Sequence, residues 1–139
     1  MNIPFEGGCA CGAVRYTIST APIMSVHCQC RDCQRASGTG HSSHVMVPVN
    51  AVAVRGDVRF WESKADSGNL VGRGFCPHCG TPLFSRNAAM TQAFFLRPAS
   101  FDDPTGFTPQ MVVYTASGPA WDTLDPALPR FDRMPQMQA

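Results

Sequence analysis

The sequence predicts a mostly β fold of short antiparallel strands with little helix, stapled by metal-binding cysteines. Three observations lead there. Gly and Pro each occur 12 times in 139 residues, and both interrupt helices, so long helical runs have little room. Short segments that alternate apolar with polar residues and favour β-branched or aromatic side chains recur along the chain. Seven Cys stand in three tight groups, and an odd number of thiols cannot resolve entirely into internal disulfides.

Residues 13–18 (AVRYTI) alternate as a half-buried strand should. Residues 23–27, 44–49, 52–55, 58–62, 69–75, 81–85, 93–97 and 111–115 repeat that style as short strands. Arg55-Gly56-Asp57 reads as a hairpin turn. Residues 31–36, running into Ser37-Gly38, form the one helical segment, with Gly as its stop. Pro104, Pro109, Pro119, Pro126, Pro129 and Pro135 break any long element near the end. The Cys-free, Pro-rich stretch from about residue 100 is therefore expected to wrap, anchored by Phe101, Phe107, Trp121 and Phe131 through the apolar area of an aromatic ring. The tail, 134–139, is expected to fray. No Ser/Gly linker, charge block or repeat divides the sequence, so residues 1–139 are expected to form a single domain.

Composition excludes several classes. Hydrophobic residues make up 44% and charged residues 15%, with a formal net charge of +1, which fits neither a disordered chain nor a polybasic nucleic-acid binder. No run of apolar residues is long enough for a membrane span, and MNIPFEGGCACG lacks the regions of a secretory signal, so a cytoplasmic protein is expected.

The cysteines carry the chemistry. Cys9 and Cys11 form CxC, Cys28, Cys30 and Cys33 form CxCxxC, and Cys76 and Cys79 form CPHC followed by Gly80. A structural zinc takes four ligands, usually two pairs, whereas a catalytic zinc keeps three and leaves one position open. Cys76-Pro77-His78-Cys79-Gly80 reads as a zinc knuckle that needs a partner pair, and Cys9 with Cys11 supplies it. Cys28, Cys30 and Cys33 then remain as an open site. His27 adjoins this group as an alternative fourth ligand that would close it, and a dithiol redox role is a further alternative. With seven thiolates and two Zn²⁺ the formal charge of +1 moves to about −2, a further argument against nucleic acid. Arg31 and Arg35 flank the open group and could hold a carboxylate. His41 and His44 could line it as proton shuttles. Ser37, Gly38 and Thr39 could bond a substrate carboxylate or form a simple ST-turn.

GGCACGAVRY at 7–16, HCQCRDCQRASG at 27–38, FCPHCGTPLF at 75–84 and DPALPRF at 125–131 resemble the glutathione-dependent formaldehyde-activating enzyme family in order and spacing, and all seven Cys have counterparts. The resemblance implies an Mss4-like fold with two zinc ions per chain, one structural on Cys9, Cys11, Cys76 and Cys79 and one catalytic on Cys28, Cys30 and Cys33. It implies a carbon–sulfur lyase with glutathione as co-substrate, in which glutathione and formaldehyde give S-hydroxymethylglutathione. Arg31 and Arg35 would then meet glutathione carboxylates, while Lys64, Arg73 and Arg97 are isolated candidates. The partners implied are a small-molecule thiol and an aldehyde, with no nucleic acid and no membrane. The alternatives are a lyase acting on another glutathione adduct and a non-catalytic zinc-stapled binding module.

Overall fold

The structure is a computed structural model and describes residues 2–135, so 136–139 of the expected frayed tail lie outside the described residues. In chain order the regular elements begin with β1 (Phe5–Gly8), β2 (Arg15–Ile18), β3 (Met24–Cys28), α1 (Arg31–Ser37), β4 (Ser42–Pro48) and β5 (Val52–Arg55). They continue with β6 (Arg59–Lys64), β7 (Leu70–Phe75), β8 (Pro82–Asn87), β9 (Met90–Leu96) and β10 (Met111–Val113). Among the described residues four single turns of 3₁₀ helix join or follow the strands. The fold is thus mostly β, with α1 as the one α-helix among the described residues. Among those residues no helix is long and apolar enough to cross a membrane.

The described residues form two compact units, one from those up to Met24 with Val45–Phe107, the other from Ser25–His44 with residues 108–135. Each is drawn from two separated segments, so no linker or shift in composition marks it in the sequence.

In the first unit β1, β2 and β5 form an antiparallel sheet in that order. The end of β4 with β9, β8, β7 and β6 forms a second antiparallel run. Alternation decides which face is buried: in β2, Tyr16 and Ile18 are buried while Arg15 and Thr17 are half-exposed. Val14, Val45, Val47, Leu83, Phe84, Leu96 and Phe101 join them in the core, with Cys9 and Cys76. Each fully buried aliphatic side chain there contributes about 1.5–3 kcal/mol of transfer free energy. β1, FEGG, has no strand-forming composition. Its place is set by close approach, because a Cβ on Gly7 would stand 2.4 Å from the Tyr16 hydroxyl and 2.5 Å from the Ser100 carbonyl oxygen.

In the second unit β10, β3 and the first residues of β4 lie side by side. β10 runs parallel to β3, with Val113 opposite Cys28, where short antiparallel strands were expected. Parallel pairing needs a long connection, and more than eighty residues separate the two strands. Gly38, at φ 78°, caps α1 in the left-handed conformation that glycine adopts at least cost. Of the expected anchors, Phe101 is buried and Phe107 and Phe131 pack partly buried against the two cores. Trp121 is not an anchor: it is 69% exposed. A tight turn, with the Asp122 amide donating to the Pro119 carbonyl at 3.0 Å, buries Asp122 in its place.

Candidate metal centres

Cys9, Cys11, Cys76 and Cys79 come together in the first unit, with all four Sγ atoms within 4.8 Å of one another. Local backbone geometry places them. The Cys76 amide donates to the Thr81 carbonyl at 3.1 Å and the Gly80 amide to the Cys76 carbonyl at 2.8 Å, closing the CPHC turn, with Gly80 at φ 77°. The Ala10 amide donates to Thr81 Oγ1 at 3.0 Å, which ties the CxC turn to the knuckle. Backbone amides also reach the sulfurs, from Val14 to Cys9 at 3.2 Å and from His78 to Cys76 at 3.4 Å.

The spacing fits a metal. Sγ separations of 3.6 Å (Cys9 to Cys11) and 3.8 Å (Cys11 to Cys76) match the edge, about 3.8 Å, of a tetrahedron with metal–sulfur bonds of about 2.3 Å. Hydrogen bonds from the Thr81 hydroxyl and backbone lower the Cys79 thiol to about 5. The Ala13 backbone lowers Cys11, but the neighbouring Cys9 thiol and desolvation outweigh it and push Cys11 up to about 11. Thiols this close resist ionising together, and a divalent cation among them removes that resistance.

Cys28, Cys30 and Cys33 form the second cluster, again with Sγ atoms within 4.8 Å of one another. Cys28 ends β3. Cys30 is the N-cap of α1, its sulfur accepting from the Cys33 amide at 3.3 Å, and Cys33 lies in the first turn. The hydrogen bonds of Cys28 with Cys30 and Cys33, together with burial, push its thiol well above the usual range. Val113, Met111, Tyr114 and Phe131 pack around the cluster. Among the described residues no fourth Cys, His, Asp or Glu atom joins this group, whereas four join the first.

The other expected site residues divide by contact. His44 reaches the cluster, with Nε2 3.5 Å from Cys33 Sγ and both residues buried. His27, the alternative fourth ligand, lies outside the group; its Nδ1 is 2.9 Å from Ser43 Oγ and its ring 4.7 Å from that of His41. Burial and the nearby His41 lower His27 to about 4, so it is neutral at physiological pH. His41 donates from Nδ1 to Asp122, 3.1 Å from each carboxylate oxygen. Asp122 also accepts from Gln29 Nε2 at 3.0 Å. Burial alone would raise the Asp122 carboxyl, but Gln29 and His41 hold it below its ordinary value. Ser37 donates to the His41 carbonyl at 2.7 Å and accepts from the Thr39 amide, which is the ST-turn alternative.

Arg31 is exposed at the start of α1, its guanidinium bonded to Gln34 Oε1. Gln34 Nε2 in turn donates to the carbonyls of Gln29 at 2.9 Å and Ser117 at 3.0 Å, so Arg31 is linked to the backbone between Cys28 and Cys30. Arg35 is exposed in the last turn of α1, where a cation complements the helix dipole. In the first unit, Arg73 donates to Ser63 at 3.2 Å and Arg97 is buried.

Sequence reasoning missed Asp122 and Gln29. Gln29 stands inside the CxC motif, and its position was the available signal. Asp122 lies in an irregular segment with no motif, and only the folded turn brings it to His41.

A family model described as "Glutathione-dependent formaldehyde-activating enzyme" matches residues 4–117. Among solved structures, the chain resembles the crystal structure of a Rhodobacter sphaeroides protein with a TM-score of 0.57 and 18% sequence identity. That likeness covers 75% of this chain and 91% of the other, and it shows a shared fold.

Proposed function

The chain belongs to the glutathione-dependent formaldehyde-activating enzyme family, and from that premise we propose that it is a zinc-dependent enzyme of the carbon–sulfur lyase type. It joins glutathione to formaldehyde or a related small aldehyde in the cytoplasm. The glutathione sulfur bonds to the aldehyde carbon, the carbonyl π pair moves to oxygen, and the thiol proton ends on that oxygen as a hydroxyl. The reverse reaction breaks the same S–C bond.

The observation that carries this reading is the three-thiol cluster of Cys28, Cys30 and Cys33, which lacks a fourth side-chain ligand among the described residues. Three protein ligands with one position left is the donor set of a catalytic zinc, and the four thiols of Cys9, Cys11, Cys76 and Cys79 are that of a structural one. Zinc held by Cys28, Cys30 and Cys33 would supply a cationic centre that keeps an incoming thiol as its thiolate. Three thiolate ligands already donate charge to such a centre, which favours capture and positioning of the thiol over polarisation of the carbonyl.

The chain's own groups then orient the substrate. The Cys33 amide fixes Cys30 at the mouth of α1, and packing by Met111, Tyr114 and Phe131 limits water at the sulfurs. Arg31 and Arg35, exposed on α1, are proposed to meet the carboxylates of glutathione. The test is the rate of adduct formation between glutathione and formaldehyde, followed by NMR. The wild type accelerates the exchange and Cys30→Ser abolishes the acceleration; equal rates with and without the wild-type protein would remove the reading.

A further inference from the structure

The geometry points to His44 as a positioning residue that donates its Nε2–H to Cys33 and so sets how strongly the three-thiol cluster donates charge to a bound metal. The inference rests on the reading of that cluster as a metal site, and it concerns a residue to which the family match assigns no role.

The two clusters differ in what supports their sulfurs. In the four-thiol cluster the donors are backbone amides and a hydroxyl: Val14 to Cys9 at 3.2 Å, His78 to Cys76 at 3.4 Å, and Thr81 Oγ1 at 3.2 Å from Cys79. In the three-thiol cluster the Cys33 amide serves Cys30 at 3.3 Å, and an imidazole stands 3.5 Å from Cys33. Both His44 and Cys33 are buried, at 8% and 6% exposure, so water competes little for this contact.

Chemistry fixes the direction of the bond. A cysteine that ligates a metal is a thiolate and can only accept, so the imidazole must present Nε2 as the protonated nitrogen. His44 lies outside the set of mutually close ligand atoms, so it acts on the sulfur and is not itself a ligand. A hydrogen bond to a ligating thiolate withdraws electron density from sulfur. The metal is left more electrophilic, and its hold on a fourth, incoming thiolate strengthens. His44 thereby offsets the weakness of a three-thiolate centre, and it does so without touching substrate.

The test uses the whole chain loaded with cobalt(II) in place of zinc, in the wild type, His44→Phe and His44→Gln. Phe keeps a planar ring without a donor, and Gln restores an N–H. In His44→Phe, Cys33 becomes more electron-rich, so the sulfur-to-cobalt charge-transfer band moves to lower energy. A chelator extracts zinc from the second site more readily and affinity for glutathione falls, each by roughly tenfold or more. His44→Gln stays close to the wild type in all three readouts. Two cobalt per chain with an unmoved band in His44→Phe would overturn the role of His44 and leave the enzyme reading standing. X-ray absorption that counts a nitrogen ligand in the wild type and loses it in both variants would overturn the role by making His44 a ligand. Only one cobalt per chain would overturn both readings, and absent formaldehyde chemistry with a shifted band would overturn the enzyme reading alone.

Discussion

His41 Nδ1 stands 3.1 Å from both carboxylate oxygens of Asp122. Asp122 also takes the Gln29 amide, so one buried carboxylate joins the residue inside the CxC motif to an imidazole that contacts His27. The arrangement holds Gln29, and with it the backbone between Cys28 and Cys30, from a segment that the family match does not reach.

Asp122 gives a pH dependence of stability. Its carboxyl is held below the ordinary value of 3.8 in the folded state, so the folded protein binds this proton less tightly than the unfolded chain does. Its contribution is present above about pH 4 and is lost as pH falls through the lowered folded value. Asp122→Asn should cost about 1–3 kcal/mol at neutral pH. Between about pH 5 and 3 it should lose less further stability than the wild type does. Urea unfolding at a series of pH values checks both expectations.

Tyr16 acts at the other end of the scale. It is fully buried, and burial pushes its phenol up to about 12. Ser100 Oγ donates to the Arg97 carbonyl at 2.7 Å, so the Tyr16 hydroxyl must be the donor in its 2.5 Å bond to Ser100. A folded pKa above the unfolded one contributes stability below the unfolded value of 10 that is lost as pH rises towards 12. Tyr16→Phe should cost about 1 kcal/mol at pH 7 and should abolish this alkaline loss in unfolding measurements.

The two clusters should fail differently. Cys76 is fully buried within the larger core, and its loss opens a four-thiol site where a bound metal would contribute about 10 kcal/mol or more of folding free energy. Cys76→Ser should therefore unfold or aggregate. Cys30→Ser should leave a folded protein with its activity lost. Circular dichroism melting curves check this, and equal damage from the two substitutions would remove the division into structural and catalytic sites.

Much of the fold and of the two clusters is legible in the sequence. Strand alternation and the spacing of Gly and Pro located most of the strands, because each strand buries one face and the turns need those residues. The CPHC turn and the two further Cys groups were local signals, and the fourfold ligand need of a structural zinc was the reason to join Cys9 and Cys11 to Cys76 and Cys79, which the fold brings together. What escaped was set by contacts at long sequence separation. β1 exists because Gly7 fits against Tyr16 and Ser100. β10 pairs in parallel with a strand more than eighty residues earlier. Trp121, expected as an anchor, is exposed while the neighbouring Asp122 side chain is buried, because the turn after Pro119 fixes which of them faces inward. No local pattern encodes such choices.

The most direct measurement is the zinc content of protein purified without chelator, in the presence and absence of glutathione. Two zinc ions per chain are expected, one of them extracted readily by chelator and protected when glutathione is bound. A single tightly held zinc, indifferent to glutathione, would contradict this expectation.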